Sequence, residues 1–460
     1  MKNILAFSLL LFLFSCKKQD DWLDVKSNMS DIVPTTLQDF QAVLDRDDRM
    51  VLNRPGLDLV SADNYSVSDA NYLASQIMER NAHIWAADIY QSSTAQVIDW
   101  LTPYYAIVYA NIALEGLQKI EKTEQNKLQW ENIYGSALFY RAYAFYSLSQ
   151  LFSKPYSSAT ANSDLGIPLR LSSDVNIIYQ RATLQETYDR IINDLKEAER
   201  ILTTVPVFKT RPSKQAAMAL LAKVYLSMDD YAKANEYVNA ALAIQSNLIE
   251  FQSLPVTTGT ANPFPTIKNG NVEIVFYAEK VRYSMMREDR LLVDTSLYNQ
   301  YGANDLRKTV FYSVNANGIV SFKGNITGGT YFAGISTGEL YLIRAETYAR
   351  LGNTNLALKN LNDLLKTRWK KNGSTSTYID QTASNANEAL NKIITERRKE
   401  LPFTTRWEDL RRLNKEPAFA VTLERVVGGS TYTLLPNDQR YVLPIPELEI
   451  RLSGILQNPR

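Results

Sequence analysis

Apolar residues recur at three- and four-residue spacing through long stretches of this chain, and that period predicts helices. Val97, Leu101, Tyr104, Tyr105, Val108, Ile112 and Leu117 define an amphipathic helix within Ser93–Glu121, with Pro103 placed to kink it. The next periodic segment, Leu128–Phe152, is apolar around most of its circumference (Tyr134, Leu138, Tyr140, Tyr143, Phe145, Tyr146, Leu148), so it is predicted to lie buried between other helices. Its small residues, Gly135, Ser136, Ala137, Ala142 and Ala144, allow neighbours to approach closely, while the tyrosines fill volume and carry hydroxyls to polar edges. A helix over Thr183–Leu202 opens on Thr183 and Glu186, the spacing of a capping box. Further helices are predicted over Asn387–Leu401 and Trp407–Leu413, before a polar, proline-bearing tail from Leu443.

An internal repeat sharpens this picture. Ala219-Leu220-Leu221-Ala222-Lys223-Val224-Tyr225 aligns with Leu342-Ile343-Arg344-Ala345-Glu346-Thr347-Tyr348 at an offset of about 123 residues, and the same offset carries Ala234 onto Ala357. Each copy reads as a small residue, a Tyr three positions on, a turn (Asp229-Asp230 or Gly352-Asn353) and a second small residue, the pattern of a tetratricopeptide helix pair. Alanine at the crossing point lets two antiparallel helices meet, and the Tyr packs on the adjoining pair. The expected fold class is therefore mainly all-α, a helical-repeat scaffold with minor β. Between the copies, about 246–338, the period fades and Gly, Pro, Asn, Thr and Tyr rise, with one strand-like run at Val272–Tyr277. A loop-rich insert of that length points to function.

The N-terminus adds a location. An apolar run from Ile4 to Phe14 follows Lys2 and ends at the sole cysteine, Cys16. Eleven helical residues rise about 16 Å, half of a hydrocarbon core of about 30 Å, so the run reads as a secretory signal and not a membrane span. Leu13-Phe14-Ser15-Cys16 resembles a bacterial lipobox, which makes Cys16 the expected lipidation site, residues 1–15 the signal, 16–34 an extended tether and 35–460 one helical domain. Lys17-Lys18-Gln19-Asp20-Asp21 resembles the tag that directs Bacteroidetes lipoproteins to the outer face of the outer membrane.

Composition narrows the chemistry. Removing residues 1–15 leaves 49 basic and 49 acidic side chains, a balance that argues against a nucleic-acid partner. One histidine, His83, and no thiol beyond Cys16 exclude zinc sites with two or more His or Cys ligands and disulfide chemistry. No G-x-S-x-G elbow, Walker A loop, dinucleotide fingerprint or EF-hand loop occurs. No cofactor or metal is expected, no catalytic residue is assigned, and His83 reads as a surface or loop residue. A carboxylate-pair glycoside hydrolase stays open as an alternative, since any two of the acids could supply the pair.

Four separated segments then converge. Arg211-Pro212-Ser213-Lys214-Gln215, Ser336-Thr337-Gly338-Glu339-Leu340-Tyr341, Glu396-Arg397-Arg398-Lys399-Glu400-Leu401 running on to Arg406-Trp407-Glu408-Asp409-Leu410, and Leu443-Pro444-Ile445-Pro446 with Gln457-Asn458-Pro459 appear in an order that resembles the SusD/RagB family of surface nutrient-binding lipoproteins. The resemblance implies four tetratricopeptide-like pairs as scaffold, a loop-rich face that captures ligand, and a SusC-like TonB-dependent transporter beneath, for which the lipoprotein acts as a lid. The implied ligand is an oligosaccharide, with a peptide as the alternative. Arg406, Glu408, Asp409 and Arg411 read as ion pairs and caps.

A neutral binder without metals must recognise its ligand by shape, aromatic faces and hydrogen bonds. Two irregular segments offer that mixture: Asp63, Asn64, Tyr65 and Tyr72 through Trp85, and the insert residues Tyr283, Arg287, Tyr298, Tyr301, Tyr331 and Phe332. Trp100, Trp130, Trp369 and Trp407 fall in helical patterns and are expected to pack internally.

Overall fold

The computed structural model describes residues 34–460 apart from 92–93, 256, 258, 260, 268–269 and 329. Cys16, the signal and all but the last residue of the expected tether lie outside the described residues. A short helix α1 (Leu37–Leu44), closed by a Thr36–Asp39 capping box, leads into the scaffold. The scaffold consists of α2 (Ile98–Leu117), α3 (Lys127–Phe152), α4 (Leu184–Ile201), α5 (Lys214–Ser227), α6 (Tyr231–Ile244), α7 (Thr337–Arg350), α8 (Thr354–Lys366), α9 (Ala386–Glu400) and α10 (Arg406–Leu413). From α2 to α8 each helix packs against the next, and α9 lies on α7. The fold is mainly helical, as the periodicity predicts.

The repeat holds at atomic detail. Ser213 and Ser336, also 123 residues apart, cap α5 and α7 by accepting from the amides of Ala216 and Glu339. Asp229 (φ 62) and Gly352 (φ 81) turn the chain through the left-handed region. Asp230 and Asn353 then cap α6 and α8 by accepting from the Lys233 and Leu356 amides. Ala219, Ala222, Ala234, Ala345 and Ala357 are fully buried where the helices cross. Helix α7 divides two cores: Leu340 and Ile343 join the large one with α2–α5, while Leu342 and Ala345 join a smaller one with Leu361, Leu365 and Ile393. The Thr183–Glu186 box closes α4 as its sequence predicts.

The insert is irregular but tightly packed. Its strand-like run is a strand, Ile274–Phe276, paired antiparallel with Ile335–Ser336, and a hairpin joins Tyr312–Val314 to Val320–Phe322. Strand β1 (Tyr65–Val67) pairs antiparallel with β2 (Leu291–Val293), so the two segments that periodicity left unassigned are stitched together. A C-terminal hairpin, β3 (Leu423–Val427) with β4 (Ser430–Leu434), turns on Gly428 (φ 56) and Gly429 (φ 76). Positive φ at both central residues is what a tight two-residue hairpin turn requires.

Ionic side chains fasten the insert to the scaffold. Arg307 is fully buried and binds Asp305 at 2.7 Å, Glu396 at 2.6 Å and Glu400 at 3.2 Å. Arg368 binds Glu400 and Glu273, each at 2.9 Å, and Lys399 binds Glu396 at 2.9 Å. On the other side of α9, Arg397 binds Asp409 at 2.9 Å while Arg412 holds Glu346 at 2.6 Å.

Candidate ligand-binding groove

The chain leaves the short helix Leu57–Ser61 and enters β1 through Asp63 and Asn64, where two arginines from the far end of the sequence meet it. Asp63 receives a bidentate pair from Arg406 at the start of α10, Nε at 2.6 Å and Nη2 at 2.7 Å. Arg398 of α9 donates from Nε to Asn64 Oδ1 at 3.0 Å, and its Nη2 lies 3.5 Å from the Asp63 carboxylate. Burial raises the Asp63 pKa, but Arg406 and then Arg398 outweigh it and hold the carboxyl well below the usual range. Asp63 is therefore a permanent anion that aligns two guanidinium groups.

Two clefts open beside this cluster and share Arg398 and Val421. The larger, about 480 Å³, runs between β1 and the chain entering β3, with Asp63, Asp294, Ser296, Thr422 and Glu424 supplying polar groups. The smaller, about 320 Å³, is lined by Asn391, Ile394 and Thr395 of α9, Arg406, Leu410 and Leu413 of α10, Gln300, and Phe419. The two adjoin at these shared residues and are taken together as one groove beside α9 and α10. Ser296, Thr422, Glu424, Asn391 and Thr395 are exposed along it.

The aromatic candidates fare differently. Tyr65 and Trp85 line the larger cleft, but both are buried, Tyr65 at 4% and Trp85 at 2% exposure. The Tyr65 hydroxyl donates to Val60 O at 2.8 Å, Trp85 Nε1 donates to Ser61 O at 2.9 Å, and the Arg425 guanidinium sits 4.7 Å from the Trp85 ring centre. They form the wall, and no open ring face is left for stacking. Tyr283, Tyr301 and Tyr331 are buried elsewhere in the core, with hydroxyls committed to Asp99, the Lys399 carbonyl and the Met286 carbonyl respectively. These three are corrected to packing residues, because an insert this rich in tyrosine builds its own core from them. Phe332 is buried with them. Tyr72 and Tyr298 are half-buried, against His83 and Lys308 respectively, and Arg287 is exposed and paired with Asp289 at 3.0 Å. None of the three lines the groove.

His83 is likewise corrected from a surface residue to a buried one at 2% exposure, closing the helix Ile77–His83. Burial and the adjacent Arg425, 2.7 Å from Nδ1, depress its pKa to about 2, so the ring is neutral at any working pH. Trp100 and Trp407 are buried, whereas Trp130 and Trp369 are half-buried and packed on Tyr134 and Tyr378. Sequence reasoning assigned no groove role to Arg398, Asp294, Thr422 or Glu424. The Gly428-Gly429 pair between two short runs was the available signal for this hairpin, but Leu423–Val427 does not alternate in sequence, since its inward positions include Arg425 and its outward ones Val426.

Comparison with known proteins settles the lineage. A family model described as starch-binding, associating with outer membrane, matches residues 21–226, and the SusD family model matches residues 273–460. The chain belongs to the SusD family. Among relatives, SusD-like protein P2 of Formosa agariphila is 24% identical, covering 78% of this chain and 79% of the relative. Among solved SusD-like folds, a putative sugar binding protein from Bacteroides vulgatus superposes with a TM-score of 0.71 at 20% identity, covering 93% of this chain and 99% of that one. A SusD-like carbohydrate binding protein from Bacteroides fragilis gives 0.68 at 14% identity, covering 91% and 98%. SusD membership makes this a nutrient-binding surface protein associated with the outer membrane. No helix among the described residues is long and apolar enough to cross a membrane.

Proposed function

We propose that this SusD-family protein captures an oligosaccharide at the groove without altering it and delivers it to a SusC-like TonB-dependent transporter, anchored to the outer face of the outer membrane through lipidated Cys16. The observation that carries the reading is the groove's chemistry. Carboxylates, a guanidinium and hydroxyls held on a rigid helical frame can accept from and donate to neighbouring sugar hydroxyls, with Leu410, Leu413 and Phe419 offering apolar surface to the ring faces. Calorimetric titration of the full chain in mild detergent against an oligosaccharide panel tests it. A hit weakened at least about tenfold by Glu424→Ala, as expected when a hydrogen bond to a charged group is lost, and by a smaller factor by Ser296→Ala supports the groove. Recovery of cleaved sugar would refute the non-catalytic reading.

A second reading rests on a separate observation. Strands β1 and β3 both line the larger cleft, and each is hydrogen-bonded to a neighbouring strand on one side only among the described residues. An extended peptide can add to such edges through main-chain hydrogen bonds. Peptide hits in place of saccharide hits in the same titration would select it.

A further inference from the structure

The two halves of the groove differ in charge, and the difference comes from one arrangement. Asp63 engages Arg406 through Nε and Nη2, and Asn64 and Asp63 engage Arg398 through Nε and Nη2. Neither arginine's Nη1 has a hydrogen-bond partner among the described residues, and both side chains line the smaller cleft. The lining of that cleft includes no carboxylate, whereas Asp63, Asp294 and Glu424 all border the larger one. Asp63 bridges the two guanidinium groups, and Asp294 pairs with Arg398 from 3.8 Å. The smaller cleft therefore presents guanidinium N–H donors and no carboxylate of its own, a pattern suited to an oxyanion.

We infer that the groove selects anionic oligosaccharides, with a ring carboxylate or sulfate ester seated in the smaller cleft against Nη1 of Arg398 and Arg406 and the uncharged part of the chain lying in the larger cleft. This inference rests on the oligosaccharide reading and adds the ligand's charge and its orientation. The larger cleft repels the anionic group through Asp294 and Glu424, so the charged residue of the ligand has one preferred end of the groove. An ionised acceptor forms shorter and stronger hydrogen bonds with guanidinium than a hydroxyl does, which turns the unpaired donors into a selectivity element.

The test is calorimetric titration of the full chain in mild detergent with a panel of oligouronides, each matched to its carboxyl-reduced neutral counterpart and to a sulfated form of that counterpart. The expected result is binding of the anionic forms at least about tenfold tighter than the neutral ones, a margin that shrinks as salt is raised. Arg398→Gln should erase the margin between anionic and neutral forms. Asn391→Glu, at an exposed rim position where folding is not at stake, should weaken the anionic forms more than the neutral ones. The stronger of the carboxylate and sulfate arms identifies the oxyanion. Equal affinity for neutral and anionic members, or a margin that survives both variants, overturns this inference and leaves the oligosaccharide reading standing. Failure of every saccharide to bind overturns both.

Discussion

The repeat pairs α5–α6 and α7–α8 and the seam between the insert and α9 are held by opposite means. Within each pair the two helices meet mainly through alanines, short caps and apolar side chains, between residues close in sequence, and a buried ion pair, Lys223 with Glu339 at 3.0 Å, links α5 to α7. The seam is a buried lattice of Arg307, Arg368, Lys399 and the carboxylates of Asp305, Glu396, Glu400 and Glu273, drawn from points up to about 130 residues apart. Apolar packing is tolerant and additive, and losing one contact costs what that contact was worth. A buried ion lattice is intolerant, because removing one charge strands the others in a medium that cannot solvate them. The groove sits where the two regimes meet, with Arg398 on the same helix as Glu396 and Glu400. The geometry of the binding cluster thus depends on the seam more than on the repeats.

The sharpest way to break this contrast is Arg307→Ala. Three carboxylates lose their common cation, and the expected loss of unfolding free energy is about 3–5 kcal/mol, read by thermal or urea denaturation. A loss under about 1 kcal/mol would show that the seam is hydrated and not a true buried lattice. Next in size is Ala222→Leu in α5, where a fully buried crossing position must admit a branched side chain, at a cost of about 1–3 kcal/mol.

Acid sensitivity separates the regimes at comparable magnitude. Burial raises the Asp409 carboxyl, but Arg397 and Arg412 outweigh it and hold its pKa at about 2. An unfolded Asp titrates near about 3.9, so the native state binds its proton later and this contribution is fully present above that value. It is lost as pH falls from about 4 towards 2, on the order of 2 kcal/mol, and Asp409→Asn should flatten that part of the stability profile. The smallest effect tests the repeat itself: Asp230→Ala and Asn353→Ala each remove one equivalent helix cap. Each should cost about 1 kcal/mol, and the double variant about the sum, since the caps belong to separate pairs.

What the sequence makes legible follows the same divide. Periodic apolar positions locate α2, α3, α4 and α9 within a few residues, and the offset of 123 identifies the related pairs, because these elements are specified by neighbours in the chain. The Thr183–Glu186 box is local in the same sense. The groove is not. Trp85 and Tyr65 stand outside any apolar stripe and so look exposed, yet Arg425, 340 residues further on, covers Trp85 and caps His83. Tyr301 pairs its hydroxyl with Tyr312 and the Lys399 carbonyl, a contact that no local pattern announces. Arg398 stands in a motif whose neighbours are structural, and its free Nη1 emerges only once Asp63 and Asn64 are brought beside it.

The most direct test is a crystal structure of the protein with a saccharide found to bind in solution. Density is expected along the groove, crossing Arg398 from the β1–β3 cleft to the α9–α10 cleft, with Glu424, Ser296 or Arg398 in hydrogen-bond contact. Saccharide bound on another face, with the groove empty, would contradict it.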